Sequence, residues 1–123
     1  MIAAREFVEA HPELSLGACP KEGKGIAIHA DRGAAIVAAD GEELIILCWA
    51  AEEESGWPLM DLVVSEASAR RCTRVRGEFL ATARNEAMRE YLAQFGFTMI
   101  GEDEGSSLWI LPVSAYEPMG ASF

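Results

Sequence analysis

The stretch Leu44-Ile45-Ile46-Leu47-Cys48-Trp49-Ala50 is apolar at every position, and it decides the fold. A strand without polar side chains is buried on both faces, so this one is predicted to be central in a sheet and covered by helices. Residues 57–71 follow with an apolar face at helical spacing, and residues 73–80 alternate apolar and charged side chains like a strand. A strand, a helix and a strand in this order form a βαβ unit, whose two strands are expected to run parallel.

The sequence around this unit predicts a single domain over residues 1–123, with the element order α-β-β-β-α-β-α-β-β. This order indicates an α/β (α+β) fold with helices on the faces of one sheet. Residues 1–24 contribute a helix and a loop, and residues 112–123 form an irregular tail. The other predicted elements are strands over 26–29 and 34–39, a helix over 84–94, and strands over 97–100 and 107–111.

The charge of the chain restricts its partners. With 20 Asp and Glu against 10 Lys and Arg, the net charge is −10. Phosphate backbones and anionic membranes are bound by clustered Lys and Arg, so neither nucleic acid nor a membrane is expected as a partner. A small-molecule amine or a basic protein suits an acidic surface. No signal-peptide pattern is present, because Arg5, Glu6 and Glu9 interrupt the N-terminal apolar residues, and a cytoplasmic location is expected.

Cysteine and histidine residues give no sign of a disulfide framework or a metal site. The three cysteines, Cys19, Cys48 and Cys72, include no pair at CxxC spacing. The only two histidines, His11 and His29, have no further ligand at a spacing typical of metal sites. Cys48 lies in the apolar strand and is expected to be a small core residue.

A family resemblance lies in Asn85-Glu86-Ala87-Met88-Arg89-Glu90-Tyr91-Leu92-Ala93-Gln94-Phe95-Gly96-Phe97. An Asn, an Ala two positions on, a Tyr six on and a Gly-Phe pair eleven and twelve on resemble the acyl-CoA N-acyltransferase (GNAT) family. Residues 73–97 also resemble a narrower group, the GNAT-like C-terminal region of HAD-like proteins that load glyceryl units in polyketide pathways. The resemblance covers roughly residues 43–112 and implies a mixed central sheet with helices on both faces.

The resemblance also implies site residues. Asn85 would contact the pantetheine arm of acetyl-CoA or another acyl thioester, and Tyr91 would protonate the departing thiolate. A carboxylate such as Glu78, or a water molecule, would take the proton of the acceptor amine. The residues alone favour a plainer interpretation, in which Asn85 caps a helix and Tyr91 is one aromatic of an apolar stripe.

The expected pyrophosphate loop departs from the family pattern. Family members carry Arg or Gln followed by Gly-x-Gly or Gly-x-Ala between a strand and the next helix. Here the junction is Ala51-Glu52-Glu53-Glu54-Ser55-Gly56-Trp57-Pro58, so only Ser55 and Gly56 match in kind. Pro58 removes a donor and three glutamates would repel a diphosphate, so the junction is interpreted as a solvated acidic loop.

Two functions therefore stay open. The first is a small N-acyltransferase, and the second is a non-catalytic GNAT-fold module that binds a protein or a carrier-linked pantetheine. Two acidic proteins do not attract at long range, which favours a basic partner over an acidic carrier protein. Trp57 and Trp109 are expected to be exposed and leave room for a homodimer. Within the core, Met88, Leu92 and Phe95 are expected to be buried.

Overall fold

A computed structural model describes residues 4–17 and 25–116 of the chain, and within them one mixed sheet carries helices on both faces. The first predicted residues of the N-terminal helix, Cys19 and the tail beyond Tyr116 lie outside this range. The helices are α1 (Ala4–Ala10) and α2 (Glu53–Ala69). The strands are β1 (Ile26–Ala30), β2 (Gly33–Asp40), β3 (Glu43–Ala51), β4 (Arg74–Leu80), β5 (Thr98–Asp103) and β6 (Ser106–Pro112). Short 3₁₀ turns are Pro12–Leu14, Glu86–Met88, Leu92–Phe95 and Val113–Ala115.

The sheet has the strand order β1-β2-β3-β4-β6-β5, and β3 and β4 run parallel as predicted. The other neighbouring pairs are antiparallel. β3 and β4 pair only at their first residues, and the three pairs are Glu43 with Arg74, Leu44 with Val75, and Ile45 with Arg76. Beyond these pairs the two strands separate, which leaves a gap between their carboxyl-terminal halves.

Strand β3 has buried residues on both faces in its second half, whereas Ile45 and Leu47 are partly exposed, and a bulge at Leu47 decides which residues share a face. On β2, Ile36 pairs with Cys48 and Val37 pairs with Ile46, so Leu47 has no partner. An extra residue reverses the alternation of side chains along a strand. Ile46 and Trp49 consequently lie on one face, in the main core, while Cys48 and Ala50 pack with Val8 of α1 on the other.

The main core lies between the sheet and α2. Val75 and Phe79 of β4 are buried in it, with Gly77 between them on the same face, as the alternation in residues 73–80 predicts. The expected burial of Met88, Leu92 and Phe95 is confirmed. Tyr116 closes this side of the core, where its hydroxyl donates a hydrogen bond to Asp61 of α2.

The predicted helix over residues 84–94 is wrong. The segment forms two 3₁₀ turns instead, with i to i−3 backbone bonds such as Met88 N–H to Asn85 C=O and Tyr91 N–H to Met88 C=O. Side chains three positions apart lie on the same side of either kind of helix, so spacings such as Met88 to Tyr91 and Leu92 to Phe95 do not distinguish the two. Gly96 ends the segment in the left-handed conformation with φ 102°, as expected.

The predicted acidic loop over residues 51–56 is also wrong, because α2 begins at Glu53. Glu52 is the N-cap residue, and Glu53 and Glu54 occupy the first turn, where carboxylates interact favourably with the positive end of the helix dipole. Pro58 therefore lies inside the helix rather than in its first turn.

The expected exposure of two tryptophans is not what the structure shows. Trp109 is only 8% exposed, and Trp57 is half-buried against Phe95 and Tyr116. The two tryptophans therefore give no support to a homodimer. Among the described residues, no helix is long and apolar enough to cross a bilayer.

Replacing Phe95 with alanine should lower the free energy of unfolding by about 3–5 kcal/mol, the usual range for a buried Phe. Phe95 packs against Trp57, Tyr91 and Trp49 with ring centroids 4.7, 5.1 and 6.0 Å away. Denaturant unfolding measures the loss. Leu62→Ala is the control, because Leu62 is 44% exposed on α2 and should change stability by only about 0.5 kcal/mol. A loss below about 1 kcal/mol for Phe95→Ala would show that this ring does not carry the core.

Candidate functional site

The gap between β3 and β4 is bridged by the backbone of residues 15–17, here called the bridging segment. Ser15 forms an antiparallel bridge with Ala50. Leu16 donates its N–H to the Trp49 carbonyl at 3.3 Å and accepts the Leu80 N–H at 2.8 Å. Leu16 is 2% exposed. The bridging segment thus takes the place of a short strand between two strands that have separated.

Asn85 fixes the bridging segment from one side. Its Oδ1 accepts the Thr82 N–H at 2.7 Å, and its Nδ2 donates to the Ser15 carbonyl at 3.2 Å and the Leu80 carbonyl at 2.9 Å. Asn85 is fully buried. Both donors of its amide are therefore committed to the chain's own backbone at the place where the resemblance assigns contact with a pantetheine arm.

Gly17 is required by the close approach of the bridging segment to β4. Its φ is +89°, in the left-handed region that favours glycine, and a Cβ there would overlap the Leu80 carbonyl oxygen. Its N–H donates to Ser15 Oγ at 2.8 Å. The sequence analysis did not identify the role of the bridging segment. The one signal was the pair Leu16-Gly17, an apolar residue followed by glycine, between the breakers Pro12 and Pro20.

Ser55 and Gly56, the residues proposed for pyrophosphate contact, both lie buried in the first turns of α2. Ser55 Oγ accepts the Arg32 N–H at 2.9 Å, which ties the helix to the β1–β2 turn. A Cβ on Gly56 would overlap the Tyr91 hydroxyl, so glycine permits the phenol to approach the helix. Both residues therefore serve contacts within the chain.

The start of α2 carries negative charge from the chain itself. Glu52, Glu53 and Glu54 surround the end of the helix where free N–H groups would otherwise attract an anion. The only described cation paired with them is Arg32, whose Nη1 lies 3.8 Å from Glu52 Oε1 at an exposed position. A diphosphate placed here would meet like charges at short range.

Tyr91 lies half-buried among aromatic rings, beside Gly56 and Trp49. Burial raises the pKa of Tyr91 to about 12, and the nearby Trp49 indole lowers this pKa slightly. Trp49 Nε1 is buried and forms no hydrogen bond of normal geometry with the described residues. We therefore interpret the Trp49–Tyr91 interaction as a weak polar contact.

The raised pKa bears on the acid role that the resemblance gives Tyr91. An ordinary thiol has a pKa of about 8.5, so proton transfer from this phenol to a thiolate is unfavourable by roughly three orders of magnitude. The phenol remains protonated at neutral pH. It is nevertheless a weaker acid than an exposed tyrosine.

Glu78, the proposed base, does not lie with Tyr91. Gly77 and Phe79 of β4 face the core that contains Leu92 and Tyr91, whereas the exposed Glu78 points to the opposite face of the sheet. There it lines a shallow groove with Arg76 and Leu108. The structure thus brings Gly56 and Tyr91 together, places Asn85 at the gap, and separates Glu78 from them.

The two tyrosines of the chain should titrate late. Burial raises the pKa of Tyr91 to about 12, and burial with the hydrogen bond to Asp61 raises the pKa of Tyr116 further. At about pH 10.5 the folded protein should show little tyrosinate absorbance, whereas the unfolded chain titrates near pH 10.

The sign of the stability effect follows from these raised pKa values. The contribution of the buried Tyr91 phenol to the free energy of unfolding is complete below about pH 10. It is lost as the pH rises toward 12, because tyrosine in the unfolded chain releases its proton first. Tyr91→Phe should reduce the alkaline loss of stability. Full ionisation of one tyrosine in the folded protein at about pH 10.5 would contradict the burial of that phenol.

No protein-family model matches the sequence, and no curated protein matches it significantly. Solved structures do match. Ard1 from Thermoplasma volcanium is 21% identical with a TM-score of 0.51, over 66% of this chain and 62% of that one. A GNAT-family acetyltransferase from Desulfovibrio desulfuricans is 14% identical with a TM-score of 0.56, over 70% and 66% of the two chains.

A third match was solved with coenzyme A. PaiA N-acetyltransferase from Thermoplasma acidophilum is 11% identical with a TM-score of 0.55, over 68% of this chain and 57% of that one. The chain thus spans less than two thirds of the length of Ard1 and of PaiA. At these identities the likeness concerns the fold, which agrees with the mixed sheet and the parallel β3–β4 pair described above. The chain has the GNAT fold.

Proposed function

We propose that the chain is a cytoplasmic GNAT-fold binding module rather than an active acetyltransferase. The bridging segment carries this proposal, because Leu16 satisfies the Trp49 carbonyl and the Leu80 N–H that an extended ligand in the gap would need. The resemblance assigns Asn85 to the pantetheine arm, but its Nδ2 already donates hydrogen bonds to the Ser15 and Leu80 carbonyls. A ligand would have to displace buried backbone that already has its hydrogen bonds.

The charges at the start of α2 support the same proposal. Glu52, Glu53 and Glu54 stabilise the helix and oppose the diphosphate of coenzyme A. With a net charge of −10, the chain has a surface suited to a basic protein. We propose such a protein as its partner.

An N-acyltransferase acting on a small amine is the second candidate, and one observation favours it. The phenol of Tyr91 is protonated and lies against Gly56 at the start of α2, close to where the resemblance places the thioester. This function requires the bridging segment to leave the gap. It also requires the pKa of Tyr91 to fall on ligand binding, since the phenol is otherwise too weak an acid.

The narrower resemblance to HAD-like glyceryl-loading proteins offers a carrier-linked pantetheine as another ligand for the opened gap. Carrier proteins are acidic, and this chain is acidic as well, so long-range attraction is absent. We therefore rank a carrier protein below a basic partner.

Gly17→Ala should loosen the bridging segment, because the new Cβ would overlap the Leu80 carbonyl oxygen at a positive φ. Amide hydrogen exchange should show faster exchange at Leu16 and Leu80. Gly41→Ala is the matched control: Gly41 also has a positive φ, of 62°, but a Cβ there meets no atom within 4 Å. Equal protection at Leu80 in Gly17→Ala and the unaltered protein would show that the bridge does not depend on this close approach.

Coenzyme A should bind weakly, with a dissociation constant above about 100 μM, equivalent to less than roughly 5.5 kcal/mol. Isothermal titration tests this in three proteins: the unaltered chain, Gly17→Ala, and a variant with Glu52, Glu53 and Glu54 all changed to Gln. If the chain is a binding module, all three proteins should bind coenzyme A only weakly.

Tighter binding in Gly17→Ala and in the glutamine variant would instead favour the acyltransferase with a closed gap. Low-micromolar binding of acetyl-CoA by the unaltered protein, together with acyl transfer that is lost in Tyr91→Phe, would overturn the binding-module proposal.

A further inference from the structure

A cavity of about 210 Å³ lies where β4 ends and the β5–β6 hairpin turns, outside the site described above. Its lining includes Phe79 and Ala81, the charged residues Arg89, Glu102 and Glu104, and Ser107. None of these belongs to the bridging segment or to the start of α2. The cavity is large enough for a small organic molecule of a few heavy atoms.

The charged groups of the lining are available to a ligand. Arg89, Glu102 and Glu104 are all exposed, and none forms an ion pair or side-chain hydrogen bond with another residue in the described ranges. Unpaired charges of both signs therefore border one cavity. Such an arrangement complements a molecule that itself carries both signs.

The inner part of the lining is apolar with one hydroxyl. Phe79 is 2% exposed and Ser107 is 6% exposed. Ser107 Oγ accepts the Trp109 Nε1–H at 2.9 Å and forms no other hydrogen bond with the described residues, so its own hydrogen can be donated to a ligand. An apolar wall beside the buried hydroxyl of Ser107 suits a short side chain and a carboxylate oxygen.

We propose that this cavity binds a small zwitterion, such as an α-amino acid with a short apolar side chain. Arg89 would pair with the carboxylate, Glu102 and Glu104 with the ammonium group, and Phe79 would contact the side chain. A metal ion fits less well, since the described residues contain no group of three metal-ligating side chains. Binding here does not depend on the function proposed above.

The test separates the two charges of the ligand. L-Alanine, alaninamide and N-acetylalanine present both charges, the cation alone and the anion alone, and NMR titration of the full chain measures each affinity. Alanine should bind about two- to fivefold more tightly than either single-charge probe, the range expected for an ion pair with an exposed side chain. Arg89→Gln should weaken alanine binding about two- to fivefold and should not weaken the binding of alaninamide.

The charge variants provide the controls. Changing Glu102 and Glu104 together to Gln should weaken alanine and alaninamide and should not weaken N-acetylalanine, because two carboxylates that repel this anion are removed. Arg84→Gln removes an exposed cation outside the cavity and should change nothing. Absence of saturable alanine binding up to about 50 mM, equal affinity for alaninamide, or equal effects of Arg84→Gln and Arg89→Gln would each overturn the proposal.

Discussion

The architecture depends on how the sheet completes its hydrogen bonds where β3 and β4 part. Buried backbone groups need partners, and parallel strands that share three residue pairs leave such groups on their facing edges. Leu16 supplies partners to both edges at once, at Trp49 and at Leu80. Loss of that contact would leave the Leu80 N–H and the carbonyl of the buried Trp49 unpaired, and an unpaired buried group costs about 1–3 kcal/mol.

The same constraint explains several residues that have no obvious function in the sequence. Asn85 is buried because the bridging segment and the end of β4 need an amide that can donate twice and accept once. Gly17 is a glycine because the backbone passes against the Leu80 carbonyl. Gly56 is a glycine because the Tyr91 ring lies on α2 at that point. Contacts within the chain are therefore sufficient to explain why Gly17, Gly56 and Asn85 stand at these positions.

The parts of the fold that follow from local pattern are predictable from the sequence. The apolar run in β3 identifies the central strand, and the helix and strand after it indicate the parallel pair. The start of α2 is harder to predict, because Pro58 favours a first turn and the favourable interaction of carboxylates with a helix start competes with that signal. The bridging segment is beyond prediction from pattern, since Ser15 and Asn85 are 70 residues apart and no periodicity connects them.

The charges at the start of α2 and the environment of Tyr91 both disfavour acyl transfer from coenzyme A. Carboxylates at the helix start stabilise the helix and at the same time disfavour a diphosphate ligand. Burial of the phenol among aromatic rings stabilises the core and at the same time raises the pKa of Tyr91, which makes the phenol a weaker acid toward a thiolate. Each feature is favourable to folding and unfavourable to acyl transfer. Acyl transfer at this site would therefore need an opposing gain on ligand binding, and the bond from the Leu80 N–H to the Leu16 carbonyl would have to break before a ligand could use that donor.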